Sequence, residues 1–264
     1  MSDPLAVPLD VKLMNLTASV LFMGCVALVV AAGGWWVLRH PAFSIGSLSV
    51  QGEFTHNNAV TLRANVAHKL VGNFFTVDLR QVREAFEGVP WVRHAAVRRQ
   101  FPNQLQITLE EHVPVALWGP ESGSGMLNSF GEVFEANVDD VDQDDLPRLH
   151  GPAGQSVEVL DMYGRLRPIL QQVELDLAEL ELTPRGGWRA TLDSGATIEL
   201  GSGSVNEVLA RTRRFVATLT QVTSRYGRRP TSLEAADLRH TEGYALRLRG
   251  VTTVTAELPK APKK

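Results

Sequence analysis

An α+β chain behind a single N-terminal transmembrane helix is the architecture this sequence predicts. Three features carry that reading. A run of 23 residues, 16–38, holds no charge. The next stretch of roughly 70 residues orders as β-α-α-β-β, and the remainder reads as a mixed β-domain with one long helix and an exposed C-terminal edge strand.

The apolar run is LTASVLFMGCVALVVAAGGWWVL. At about 1.5 Å per residue it reaches roughly 34 Å as a helix, enough for a hydrocarbon core of about 30 Å. Trp35 and Trp36 fall where an aromatic belt would lie. A buried core helix of a soluble protein and a cleaved signal peptide are the rivals, and Ala31-Ala32-Gly33 would serve as the peptide's site. The run is long for an h-region, however, and Lys12 is the only basic residue before it. A retained signal anchor is expected. Lys12 and Arg39 leave the positive-inside count tied, so the large part of the chain beyond the span decides orientation. Residues 1–15 are then a cytoplasmic tail and the C-terminal part is exported, a single-pass type II arrangement.

Composition narrows the function. Of the 264 residues, 26 are Lys or Arg and 29 are Asp or Glu, a formal net charge of -3. Phosphate contacts need a basic surplus, so no nucleic-acid partner is expected. At 44% hydrophobic and 21% charged the chain is not disordered in bulk. Cys25 is the single cysteine, which removes a disulfide framework and a cysteine zinc cluster together.

After the span, residues 43–51 lean to β and 58–70 read as a helix through Val60, Val66, Ala67 and Leu70. A second helix starts near Asp78, where Asp78 and Gln81 resemble a capping box, and presents Leu79, Val82 and Phe86 on one face. Residues 92–101 form a strand, Pro102-Asn103 a turn, and 105–111 a half-buried strand in which Leu105, Ile107 and Leu109 alternate with polar side chains. That is the first domain, 43–111. The second, 112–258, opens on short β runs at 113–118, 126–128 and 133–134, then an acidic stretch from Asp139 to Asp145. A helix at 157–170, disturbed at Pro168, precedes strands at 173–180, 188–192 and 197–200. A long helix covers 205–226, and β runs at 232–239 and 243–249 follow, with 251–258 as a further candidate strand. Residues 259–264 form a disordered basic tail.

Chemistry is mostly absent. Counted from Asp140, the sixth and twelfth places of a calcium loop hold Asp145 and Gly151 instead of Gly and Glu. Gly201-Ser202-Gly203 fails as a dinucleotide fingerprint, because its third glycine place is Asn206 and no parallel βαβ unit is expected around it. Ser204 and Glu207 fit a capping box for the long helix instead. The histidines form no H-E-x-x-H, and no G-x-S-x-G elbow occurs. No catalytic residue, cofactor, metal or small-molecule substrate is expected. Arginines crowd the long helix and the final strands, among them Arg211, Arg213, Arg214, Arg239, Arg247 and Arg249. They read equally as a solvated basic face or as an interface for an acidic partner, for which the planar guanidinium fork is suited.

The order of parts resembles the FtsQ/DivIB family, in its Gram-negative branch, over nearly the whole chain. The segment VPWVRHAAVRRQFPNQLQITLEEHVPVALW at 89–118 carries the Pro-Trp, the x-P-N-x-L turn and the E-x-x-P-x-A-x-W exit of that family's POTRA domain. GEVF at 131–134, LPRLHGP at 146–152, Trp188 to Leu200-Gly201, ARTRRF at 210–215 and ADLRHTEGYALRL at 236–248 follow in the family's order. The resemblance implies a non-catalytic scaffold of the divisome, in the inner membrane at the septum. It implies binding of FtsB and FtsL in the periplasm, help in recruiting and controlling the septal synthase FtsW with FtsI, and POTRA contacts including FtsK.

The resemblance also places the FtsB contact on the last strand and neighbouring helix. By position it implies Arg185, Arg214 and Arg239 as partner-binding arginines, with His240, Gly243, Tyr244, Ala245, Leu246, Arg247 and Leu248 on or beside the final strand. His240 stands where the family often has tyrosine, and Leu248 where it sometimes has tryptophan. A strand there accepts a partner strand by β-augmentation. The alternative function is a POTRA-bearing chaperone for outer-membrane protein insertion or secretion. Such proteins usually repeat the POTRA unit or add a barrel, and one unit without a barrel pattern is found here.

Overall fold

The computed structural model describes residues 9–40, 43–52, 55–56, 62, 66, 72–120, 122–123, 125–240 and 243–251. Contacts divide the chain into two compact units, Met1–Glu111 and His112–Lys264.

Helix α1 covers Leu9–Arg39. It starts seven residues before the charge-free run, because Asp10 and Lys12 are both tolerated in an opening turn. It is long and apolar enough to cross a membrane, and none of its most apolar window is buried. A core helix of a soluble protein would hide that surface.

Among the described residues, the rest of the first unit holds a three-stranded sheet and one complete helix. Strands β1 (Ser47–Gln51), β2 (Val92–Gln100) and β3 (Gln104–Glu111) lie in the order β1-β3-β2. β3 pairs parallel with β1 and antiparallel with β2. The alternation along β3 buries Leu105, Ile107 and Leu109. Against them pack Val82, Ala85 and Phe86 of α2 (Leu79–Glu87). Asp78 caps α2, but its side chain accepts from the Arg80 N–H at 2.8 Å. The bond falls one residue short of Gln81, so the expected box is a simple cap. Most of the expected helix over 58–70 lies outside the described residues; Leu62 and Val66 are described, and both are helical and fully buried. Trp91 is buried at φ 72 and stacks on His56 at 3.8 Å, which gives the Pro-Trp pair a packing role.

Among the described residues, the second unit is built on one nine-stranded sheet. Its strands are β4 (Pro114–Trp118), β5 (Gly125–Asn128), β6 (Val133–Glu135), β7 (Arg148–His150), β8 (Leu177–Leu182), β9 (Gly187–Leu192), β10 (Thr197–Ser202), β11 (Leu233–Asp237) and β12 (Ala245–Leu248). They run in the order β12-β11-β10-β9-β8-β7-β4-β5-β6. Helix α3 (Ser156–Gln171) packs on β7 and β8, α4 (Val205–Arg225) packs on β10, and the two helices touch. Between helices and sheet lie Leu149, Leu166, Leu180, Ile198 and Phe215, all fully buried.

Several sequence expectations need correction. Pro168 does not interrupt α3, which runs on to Gln171. β8 begins at Leu177 and not at 173, because the chain first closes α3 through Glu174 at φ 59 and a Leu175 N–H to Leu170 O bond. β10 pairs parallel with β11 across α4, so a parallel βαβ unit does surround Gly201-Ser202-Gly203. The dinucleotide reading still fails, since a Cβ at Gly201 would meet Arg211 and Arg239 and one at Gly203 would meet Glu207. That turn is filled by the protein's own side chains. The capping box of Ser204 and Glu207 is present in both directions. The candidate strand 251–258 lies outside the described residues beyond Val251, as does the tail 259–264.

Candidate partner-binding site

The C-terminal turn of the sheet builds a groove. β11 leaves the sheet at Asp237, the chain passes Leu238, Arg239 and His240, and β12 returns from Ala245. The wall opposite is α4, which the Ser204 box orients. The Ser204 N–H donates to Glu207 at 2.8 Å and holds that carboxyl below the usual carboxylate range. Arg211, Arg214, Ala217 and Thr218 face across to His240, Gly243 and Tyr244 around a cavity of about 300 Å³.

The arginines in and beside the groove each have a different state. Arg239 donates from Nε and Nη2 to the two Asp237 oxygens at 2.9 and 2.6 Å. That side-chain bond, with the adjacent guanidinium charge, holds the Asp237 carboxyl at about 2. Arg211 donates to the Ser202 carbonyl and so ties α4 to the end of β10. Arg214 is exposed, and among the described residues its guanidinium makes no ion pair. With Glu207 and Asp237 both engaged, the described residues of the groove present surplus positive charge.

The floor is apolar. Tyr244 packs edge-on against Phe215 with centroids 5.0 Å apart, and its hydroxyl meets Thr218 Oγ1 at 2.8 Å. Along β12, Leu248 is buried, Leu246 half-buried, and Ala245 and Arg247 exposed. Arg247 pairs with Glu234 at 3.5 Å. Among the described residues β12 is the last strand of its side of the sheet, paired only with β11.

Backbone direction follows from one bond. The Arg249 N–H donates to Ser232 O, on the β11 side, at 2.8 Å. In an antiparallel pair the main-chain groups of successive residues alternate in direction. The register shift in this pair lies between Leu233 and Ala235, on β11, so β12 itself stays regular. Arg247 and Ala245 therefore turn their N–H groups inward, and Leu246 turns its N–H to the outer edge, where no described strand pairs with it.

The structure thus brings Arg214, His240, Gly243 and Tyr244 around one groove, with Ala245, Leu246, Arg247 and Leu248 on the adjoining strand. Arg239 stands between the lining residues Leu238 and His240 but is paired with Asp237 and is not itself in the lining. Arg185 is not in that lining. It is exposed in the tight turn joining β8 to β9, at the end of the sheet where Gly187 pairs with Ser202. Sequence reasoning counted Arg211 only among the arginines of a possible basic face, and passed over Ala217 and Thr218. Helical spacing offered a signal, because 211, 214 and 218 recur at i, i+3 and i+7 on one face.

Comparison with known proteins matches these parts. The family described as "POTRA domain, FtsQ-type" covers residues 43–112, and "Cell division protein FtsQ/DivIB, C-terminal" covers 116–239. A protein of Burkholderia pseudomallei named cell division protein FtsQ is 39% identical over 247 residues, 93% of this chain and 96% of the relative. Relatives of the same name in Thiomonas arsenitoxydans and Bordetella pertussis are 38% and 36% identical, covering 94% and 90% of this chain and 91% and 92% of their own. A transmembrane-length helix, an FtsQ-type POTRA domain and a mixed β-domain, matched along nearly their whole length, place this chain in the FtsQ family of cell division proteins.

Proposed function

We propose that the chain is a non-catalytic scaffold of the divisome that seats FtsB, together with FtsL, on the open edge of β12. α1 anchors it in the inner membrane at the septum, with residues 1–15 cytoplasmic and both folded units periplasmic. The observation that carries this reading is the edge itself. An outward-facing Leu246 N–H borders a groove that is apolar at its floor and cationic at its rim.

An unpaired edge is normally protected or used. A partner strand laid along β12 would take main-chain hydrogen bonds for affinity, while side chains set specificity. An apolar partner side chain would enter between Tyr244 and Ala217, and acidic ones would meet Arg214 and the side of the Arg239 guanidinium that Asp237 leaves uncovered. Arg185 would reach a part of the partner extending past the groove. Through FtsB and FtsL the scaffold would help recruit and control FtsW and FtsI, with FtsK contacting the POTRA domain.

Capture of the FtsB periplasmic segment by the full chain in detergent, followed across a salt series, tests the electrostatic half. Arg214→Glu should weaken capture and flatten its salt dependence, since rim charges act mainly through screened attraction. Unchanged affinity and unchanged slope would contradict the assignment of this groove.

A further inference from the structure

Four phenylalanines of the first unit form one edge-to-face array. Phe43 meets Phe75 at 5.0 Å between centroids, Phe74 meets Phe75 at 5.2 Å, and Phe101 meets Phe74 at 5.4 Å. Phe74 is buried, but Phe101 is 73% exposed and Phe75 39%. Phe101 lies in the turn between β2 and β3, and Phe75 in the turn before α2. A contiguous apolar patch of this kind marks a contact surface.

The array is tied to the end of α1. The Phe43 N–H donates to His40 O at 3.0 Å, and the Phe74 N–H donates to Phe43 O at 2.9 Å. The His40 ring packs edge-on against Trp36 at 4.9 Å. Trp35 and Trp36 sit where a spanning helix meets the membrane–water interface. From Arg39 to Phe43 the chain extends at most about 14 Å, so the rings stay close to the headgroups.

The turn that carries them is well braced. Asn73 Oδ1 accepts from the Phe75 and Thr76 N–H groups, both at 3.0 Å. The Arg99 guanidinium donates to Phe74 O and Val77 O, both at 2.7 Å, and places a positive charge behind the rings. Rigid aromatics next to a cation suit the interfacial region of an anionic bilayer.

We propose that Phe75 and Phe101 insert into the interfacial layer of the bilayer where α1 emerges, holding the first unit down on the membrane. The proposal rests on the reading of α1 as a membrane span.

The test uses the full chain in nanodiscs of phosphatidylethanolamine and phosphatidylglycerol. A spin label at Gln100→Cys, in a Cys25→Ser background, is read by collision with oxygen against a water-soluble nickel chelate. The label should favour oxygen, as inserted sites do. One at His94→Cys, six residues back and about 20 Å along β2, should favour the chelate. Phe75→Ser with Phe101→Ser should move the Gln100 label to the His94 value. Phe101→Ser alone, at a ring too exposed to support the fold, should move it the same way. A Gln100 label as open to the chelate as the His94 label overturns the proposal, including where the patch serves a protein partner. Protection that survives loss of both rings also overturns it. A label on native Cys25 of the otherwise unchanged chain tests the span separately: an oxygen-favouring Cys25 with a chelate-favouring Gln100 condemns insertion alone, whereas a chelate-favouring Cys25 removes the span and the proposal together.

Discussion

Thr218 on α4 and Tyr244 before β12, 26 positions apart, meet through their hydroxyl oxygens at 2.8 Å. With the Tyr244 ring set edge-on against Phe215, this contact fixes the approach to β12 beside the groove. Tyr244 therefore shapes the site from inside the domain as well as lining it.

Replacing Tyr244 by Phe removes one partly hydrated hydrogen bond and should cost about 0.5–1 kcal/mol of stability. Tyr244→Ala also loses the aromatic pair, a further ~0.5–1.5 kcal/mol beyond the buried area. Thermal unfolding should rank the variants in that order, and FtsB capture should follow the same ranking. Equal stability of the two variants would remove the aromatic brace.

The Asp237 carboxyl, held at about 2 by the Arg239 side-chain bond, makes a separate claim about pH. Because the folded value lies below the ordinary 3.8, the pair contributes stability above about pH 3.8. That contribution is lost as the pH falls from there toward 2. Carbon-detected NMR of the carboxyl should show the low titration in the wild type and a return toward 3.8 in Arg239→Ala. An unshifted wild-type carboxyl would mean that Arg239 is free in solution.

Gly131, the glycine of GEVF, sits at φ +78, and a Cβ there would lie 2.9 Å from the Val157 backbone Cα. Ser156 Oγ donates to Gly131 O at 2.7 Å, locking the β5–β6 turn to the start of α3. Gly131→Ala should cost about 1–2 kcal/mol for the left-handed backbone alone, and more for the overlap. The expected outcome is a melting temperature several degrees lower, with FtsB capture intact below the transition. An unchanged melting temperature would contradict this account of the turn.

Much of this was legible because local rules and tertiary packing agree. Leu105, Ile107 and Leu109 alternate in sequence and are buried in fact, and the Ser204–Glu207 box announces α4. β7 escaped notice for the opposite reason. It is three residues long, buries only Leu149, and owes its place to parallel neighbours β4 and β8, which no local period records. The parallel pairing of β10 with β11 was missed because sheet order is set by nonlocal packing. The groove was half legible. Family position pointed to Arg214 and Arg239, whereas Arg211 takes its role from a bond to Ser202, nine residues away across a turn.

The most direct test of the account is FtsB capture by the full chain carrying Leu246→Pro compared with Leu246→Ala. Proline removes the N–H that faces the open edge and leaves the inward groups of Ala245 and Arg247 on β11, a position where an edge strand tolerates proline. Alanine keeps that N–H and loses half-buried apolar contact, about 1–2 kcal/mol. Augmentation predicts that Leu246→Pro stays folded by circular dichroism yet abolishes capture, while Leu246→Ala binds more weakly by no more than that amount. Equal, small effects of the two substitutions in folded protein would contradict it.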